Sequence, residues 1–526
     1  MPRSSSSTWS RRGFLAATSA WALGSRLVRG QDGAAEFPQV DLPFANGRRD
    51  LVVYPQKRPL IRLTARPPQL ETPFEVFQQG LITPNDAFFV RYHLSGIPTA
   101  IDPVTFRIRI KGAVERPLEL SLGELKRLAP PQTVVAINQC SGNSRGFFSP
   151  RVPGGQIGNG AMGNARWTGI PLRAVLEKAG VKPGAKQVSF EGLDRPVLPA
   201  TPEFIKALEL DHAMDGEVMI AYQMNGEDLP FLNGYPLRLV VPGYFGTYWV
   251  KHLADVTVLE QTFAGFWMAS AYRIPDNPTH SVAPGTAPAK TVPIARLGVR
   301  SFCTSLTDGG HLAAGRKTPL RGIAFDGGSG IKAMRTSLDR GQTWQDAQLG
   351  QDLGRYSFRE WTAAVQPPAG AGELWLRAEA NDGDLQPIQP RWNPSGYMRN
   401  VVEKIPFLAA LLCLGFLGLP RAHAVEITLP TETAQFTPSP LPGFALATGY
   451  CAMCHSIDYI RTQPPQLPRS VWAAEVTKMR KIYGAPVPET AADSIIDYLV
   501  KTYGAEANPS ALDSAPVPSV TAAEAK

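Results

Sequence analysis

The sequence predicts a three-part fold: an α+β domain, an immunoglobulin-like β-sandwich and a small all-α domain. Three observations carry this reading. A chain of 526 residues exceeds what one hydrophobic core organises and should divide into about three domains. Two β-rich stretches of different character follow one another, and a helical period returns near the C-terminus. The balance of 44% apolar and 19% charged residues is that of packed domains and excludes a largely disordered chain.

Residues 31–85 are rich in proline and read as an extended, irregular lead-in. From about 86 to 290, β-branched runs such as Phe106-Arg107-Ile108-Arg109-Ile110 alternate with Gly/Pro turns and a few helical stretches, among them Leu172 to Ala179 and Pro202 to Leu210. That mixture predicts the α+β domain, with bounds 75–290. Residues 291–402 carry strand patterns only. Gly330 to Ser337 leads through a turn to Trp344, which reads as buried, and Trp361 and Leu374-Trp375-Leu376 recur at sandwich spacing. Residues 425–445 form a Pro/Thr linker. The all-α domain follows at 446–505, with helices expected at 471–483 and 491–503, and the Pro/Ala/Ser-rich tail is expected to be disordered.

Two segments resemble export signals. Arg11-Arg12 followed by Gly13-Phe14-Leu15 and a mildly apolar stretch reads as a twin-arginine signal over 1–30, which predicts a periplasmic protein folded before export. A second segment, 403–424, has an uncharged run from Ile405 to Leu419 and ends in Ala422-His423-Ala424. As a helix that run spans about 22 Å against roughly 30 Å of bilayer core, so it reads as a signal-peptide-like fusion segment and not as a stable membrane anchor. The net charge of +8 comes from cations spread along the chain, unlike the clustered patch of a nucleic-acid binder, so no nucleic-acid partner is expected. The excess instead favours small anions or an acidic protein partner.

The five cysteines do not form a disulfide framework. Cys303 reads as a small buried hydrophobe, and Cys413 lies in the apolar run. Cys451-Ala452-Met453-Cys454-His455 is the attachment pattern of a c-type haem. Two thiols three apart each form a thioether, and the adjacent imidazole of His455 falls under the iron. A thioredoxin-like pair leaves the histidine unexplained, and a zinc site lacks its second cysteine pair. Met479, 24 residues after His455 on a helix whose apolar face carries Trp472 and Val476, is the expected sixth ligand. A thioether there raises the potential, which suits an electron acceptor.

Cys140 follows the apolar run Val134-Val135-Ala136-Ile137 in the turn Asn138-Gln139-Cys140-Ser141-Gly142-Asn143-Ser144-Arg145. A thiolate at a strand end beside an arginine and many backbone donors suits a metal ligand or a nucleophile, and the residues alone leave both open. Together, Phe-x-Arg-x-His (89–93), Cys-x-Gly-Asn-x-Arg (140–145), Gly-Asn-Ala-Arg-Trp-x-Gly (163–169), Pro-Leu-Arg-Leu-Val-Val-Pro-Gly (236–243), Trp249-Val250-Lys251 and Gln389-Pro390-Arg391-Trp392-Asn393 stand in an order that resembles the sulfite oxidase family of molybdenum enzymes. The resemblance covers residues 75–402, and with the haem motif it is to a sulfite:cytochrome c dehydrogenase whose molybdopterin subunit is fused to its cytochrome.

The resemblance implies a sulfite-oxidase-like molybdopterin domain in which Cys140 ligates molybdenum beside molybdopterin. It implies that Phe89, Arg91, His93, Asp194, Asn233, Arg238, Trp249, Val250 and Lys251 hold the cofactor. Asn233 stands where many relatives carry histidine. Arg91, Arg145 and Arg399 match an anion pocket, and Tyr272 matches a tyrosine close to the metal. The sandwich matches a dimerisation-type domain, which allows a homodimer.

The expected reaction is oxidation of sulfite to sulfate, with electrons leaving through haem c to a soluble cytochrome c. The competing reading is a molybdenum-dependent reductase of sulfoxides or nitrate. A third reading, an electron-transfer protein with an inert large domain, fits the Cys140 turn poorly.

Overall fold

The computed structural model describes residues 37–410 and 429–506. The proposed twin-arginine signal, Cys413, the stretch 411–424 and the C-terminal tail lie outside the described residues. The stretch expected to be an irregular lead-in is a five-stranded antiparallel sheet: Gln39–Asp41, Arg48–Val52, Leu60–Thr64, Gln69–Glu71 and Val90–Arg91, paired in sequence order. The prolines that suggested irregularity, Pro55, Pro59, Pro67 and Pro68, stand between the strands. There they close turns without removing ladder donors.

The α+β region holds two further sheets. In one, Ile205–Glu209, Gln187–Glu191, Asp255–Leu259, Ile108–Gly112 and Leu118–Leu120 lie in that order, with Asp255–Leu259 and Ile108–Gly112 parallel. In the other, Gln132–Gln139 pairs along its whole length with Met162–Pro171, which in turn pairs with Met219–Met224. That ladder carries the chain into the core and releases it at Cys140. The helix Leu172–Ala179 forms as predicted and ends on Gly180 in the left-handed region (φ 71°). Pro202 to Leu210 does not form the expected helix. Ile205–Glu209 is a strand paired residue for residue with Gln187–Glu191, and only Leu210–Ala213 is helical. Burial of Lys206, Ala207 and Leu208 in this pairing overrides a short stretch of weak helical propensity.

The expected two-layered sandwich is one curled sheet of eight strands. Their order is Arg300–Cys303, Thr318–Phe325, Arg359–Val365, Gln345–Leu349, Ile331–Ser337, Gly370–Ala380, Glu403–Ala410 and Gly310–Ala313. Gln345–Leu349 pairs on both sides and so joins what would have been separate layers. Leu320 and Trp361 from one half share a core with Met334, Leu376 and Phe407 from the other. Trp361 is fully buried, whereas Trp344 is only half-buried. The domain also runs past residue 402. Glu403–Ala410 pairs with Gly370–Ala380 and buries Ile405, Phe407 and Ala409 on alternate positions, a strand period where a signal-like helix was expected.

Residues 429–506 carry the helices Pro442–Cys451, Asp458–Arg461, Arg469–Lys481 and Glu489–Tyr503 around Ala447, Trp472, Val476, Ile495 and Leu499. The first helix starts four residues before the expected bound of 446. It crosses the last helix so closely that a Cβ on Gly443 would stand 1.9 Å from the Ser494 carbonyl oxygen. Among the described residues no helix is long and apolar enough to cross a membrane.

Candidate active site

The turn that carries Cys140 is fixed by backbone bonds to residues 157–161. Cys140 N–H donates to Ala161 O (2.9 Å), Ser144 N–H to Gly158 O (2.6 Å) and Gly146 N–H to Ile157 O (3.0 Å). Asn143 Oδ1 accepts from Ala161 N–H at 3.0 Å. Beneath this loop the buried Glu71 carboxylate accepts from the N–H groups of Gly158 (2.9 Å) and Gly160 (2.8 Å). Cys140 is thus held at the boundary between two cavities, and it lines both.

The inner cavity is walled by Phe89, Arg91, His93, Asn233, Arg238, Trp249 and Lys251, with Asn138, Ser141 and Thr247. Lys251 Nζ donates to Arg91 O (2.6 Å) and lies 4.2 Å above the Tyr92 ring. Burial and the neighbouring Arg238 push the Lys251 pKa down to about 7. Arg238 donates to Asn233 O at 2.8 Å and stacks over Trp167, and burial lowers its own pKa to about 10. Both amide atoms of Asn138, the Ser141 and Thr247 hydroxyls and Arg238 Nε are buried without a protein partner. Unmet polar groups under several cations are what a large anionic, hydrogen-bonding ligand requires, and molybdopterin with its phosphate fits this donor set. Asp194 and Val250 do not line the wall. Asp194 is buried within electrostatic reach of Lys251, and burial raises its pKa. Val250 O accepts from Leu239 N–H at 2.9 Å.

The outer cleft, about 660 Å³, has Cys140, Arg91, Arg145, His93, Tyr272 and Tyr397 on one side. His93 stacks on Phe204 (3.7 Å, 10°) and bonds the Tyr272 hydroxyl through Nε2 at 2.5 Å. Burial, with Arg91, Lys251 and Lys206 nearby, holds its pKa well below the usual histidine range, so the imidazole is neutral. Burial raises the Tyr272 phenol well above its ordinary range, so it keeps its proton. Tyr272 is left-handed (φ 56°), a strained conformation for tyrosine, and it is held there by a parallel stack on Tyr397 at 5.4 Å. Arg145 donates to Ser395 O from Nε (3.2 Å) and Nη2 (3.0 Å) and to Gly155 O from Nη1 (3.1 Å). Of a guanidinium's five N–H groups, two are left for a ligand. Arg399, expected in the same anion pocket, does not reach the cleft. It pairs with Glu403 at 2.8 Å and lies over Phe147. The strand Glu403–Ala410 fixes that carboxylate in the sheet and draws Arg399 toward it.

Across the cleft stand Cys451, Cys454, His455 and Met479, with apolar neighbours Trp472, Val476, Ile495 and Leu499. Burial pushes the Cys451 thiol up to about 11, so it is neutral. His455 Nδ1 bonds Ser456 O at 2.9 Å, which leaves Nε2 uncommitted. Among the described residues no group of three or more His, Cys, Asp or Glu side chains converges as a zinc site requires. Two thiols, an imidazole and a thioether around an apolar space fit a c-type haem.

The two walls are bonded together. Asp458 Oδ2 accepts from Ala65 N–H (3.1 Å), Ser456 N–H donates to Arg66 O (2.6 Å), and Asn46 donates to Arg461 O (2.8 Å). Arg66 donates to the carbonyls of Ala452 and Met453, inside the Cys451–His455 turn. Tyr459 spans the gap: its ring meets His455 edge-on at 5.0 Å, and its hydroxyl accepts from Gln69. Tyr459, Gln69, Tyr397, Phe204 and a buried Lys57 are absent from the sequence-derived set. None lies in a motif, and only the fold brings them to the site.

Two family models match the chain: an oxidoreductase molybdopterin binding domain over residues 94–267 and a Mo-co oxidoreductase dimerisation domain over 291–407. Sulfite oxidase of Gallus gallus is 34% identical over 70% of this chain and 80% of that protein. Mitochondrial sulfite oxidase of Mus musculus is 34% identical over 67% of this chain and 66% of its own length. The chain thus spans about two thirds of that mammalian relative. The sulfane dehydrogenase SoxCD of Paracoccus pantotrophus shares the fold, with a TM-score of 0.56 and 24% identity over 66% of this chain and 87% of that one.

Proposed function

The chain belongs to the sulfite oxidase family, and on that premise we propose that it is a periplasmic sulfite dehydrogenase. It oxidises sulfite to sulfate and passes the electrons through its own c-type haem to a soluble cytochrome c. One observation carries this reading: Cys140, Arg91, Arg145 and Tyr272 share a single cleft with Cys451, Cys454, His455 and Met479. The match to a dimerisation domain allows a homodimer, and the twin arginine at 11–12 supports export.

Cys140 would hold molybdenum, and Arg238, Lys251 and the unpartnered Asn138, Ser141 and Thr247 would hold the pterin and its phosphate. When bound, that centre supplies oxygen-atom transfer with two-electron removal. Arg91 and the two uncommitted N–H groups of Arg145 capture the sulfite anion. With neutral His93 protonated at Nε2, the Tyr272 oxygen accepts from it and the phenol keeps its own proton to donate into the cleft. The C-terminal helices stand on the opposite side of the cleft. Cys451 and Cys454 would bind the haem covalently, His455 and Met479 would ligate its iron, and the group would supply one-electron acceptance. Tyr459, between His455 and the Arg91 side, sets the contact between the two centres.

Metal and pterin analysis of the purified full chain, with a haem stain after denaturing electrophoresis, tests the cofactor set. Both cofactors and sulfite-dependent reduction of added cytochrome c are expected. Turnover of a sulfoxide or nitrate by reduced donors, with sulfite inert, would replace this reading with the reductase one.

A further inference from the structure

Behind the cationic end of the inner cavity lies a lysine that no motif contains. Lys57 is 5% exposed. Its ammonium spends all three donors on oxygens: Asn85 O (2.6 Å), Phe88 O (3.0 Å) and the side-chain Oδ1 of Asn233 (2.5 Å). Among the described residues no carboxylate lies within ion-pair distance of it. The nearest acid it feels, Asp86, is taken by Arg58 at 2.7 Å. Asn233 is the hinge of this arrangement. Its Oδ1 accepts from Lys57, its Nδ2 donates to Phe89 O (3.0 Å), and its backbone oxygen accepts from Arg238 (2.8 Å). Gly234 follows with φ 115°, and a Cβ there would stand 3.2 Å from Lys251.

Lys57, Arg238 and Lys251 therefore form one contiguous buried cationic wall around Asn233. The buried carboxylate within its electrostatic reach is Asp194, beside Lys251. Uncompensated buried cations are unstable unless an anion completes them, and Arg238 Nε still lacks a partner. Burial also lowers the Lys57 pKa to about 7, so a nearby anion would favour its charged form.

We propose that Lys57 is a positioning residue of the cofactor site: through Asn233 it orients the wall and adds positive charge for the anionic end of the bound pterin cofactor. The proposal rests on the cofactor reading above. It differs from a purely structural staple, which would need only the three hydrogen bonds.

The test compares Lys57→Met, Lys57→Gln and Lys57→Arg as full-length chains. Molybdenum and released pterin are measured per folded chain isolated by gel filtration. The neutral variants should retain about tenfold less cofactor than wild type, while Lys57→Arg keeps most of it. Lys57→Gln keeps a donor for the loop carbonyls and serves where Lys57→Met does not fold. As a readout free of turnover, inorganic phosphate added to cofactor-free full-length chain should raise the melting temperature of wild type and Lys57→Arg but not of Lys57→Gln. Full cofactor content in a folded neutral variant, or an equal phosphate response in all chains, overturns the proposal. A wild-type chain without pterin would overturn the cofactor reading instead.

Discussion

On the Cys140 side of the cleft nearly every polar group is spoken for or waiting: Arg145 on three carbonyl bonds, His93 on Tyr272, and Asn138, Ser141 and Thr247 unpartnered. On the C-terminal side Trp472, Val476, Ile495 and Leu499 stand around the two thiols, His455 and Met479, and the charged Glu475 there is paired with Lys478. The contrast follows from what each side would bind. An oxyanion and a phosphorylated cofactor need donors fixed before they arrive, so that their desolvation is offset at once. A porphyrin needs apolar enclosure and two axial ligands.

The first way to break the comparison is Cys140→Ser. Turnover with sulfite should fall to background while covalent haem and the fold persist, because the change touches only the first wall. Sulfite-dependent cytochrome reduction and a haem stain read both outcomes. The converse is Cys451→Ala with Cys454→Ala, which should abolish covalent haem and leave molybdenum content unchanged. A stained band surviving denaturation would refute the attachment. Arg145→Met should act on substrate capture, raising KM for sulfite about tenfold with a smaller change in kcat, since a charge-assisted bond is worth roughly 1.5–3 kcal/mol. Steady-state kinetics separates the two. The smallest effect belongs to the joint between the walls. Asp458→Ala removes the acceptor for Ala65 N–H and Ser456 Oγ and should cost about 1–3 kcal/mol in urea unfolding of the C-terminal helices.

Legibility in the sequence followed the same division. The residues singled out by local pattern, Cys451, Cys454 and His455 by spacing, Met479 by its helix and Cys140 by its place at a strand end, all line one cleft in the structure. The five-stranded sheet of residues 39–91 was not legible, because prolines mark turns and breaks alike until the strands between them are paired. The strand at 205–209 was hidden because a short window cannot reveal the partner that buries it. Arg399 looked like a pocket residue until the strand at 403–410 placed Glu403 beside it. Lys57 and Tyr459 gave no signal, since each acts through a residue far away in sequence: Asn233 for Lys57, and Gln69 for Tyr459.

On the proposed reading the two centres face each other within one chain. Mixing the oxidised full chain with excess sulfite in a stopped-flow spectrometer, at several protein concentrations, tests it most directly. Haem reduction is expected with a first-order rate that does not change with protein concentration and is absent in Cys140→Ser. A rate that rises in proportion to protein concentration, or a haem that stays oxidised while sulfite is consumed, would contradict it.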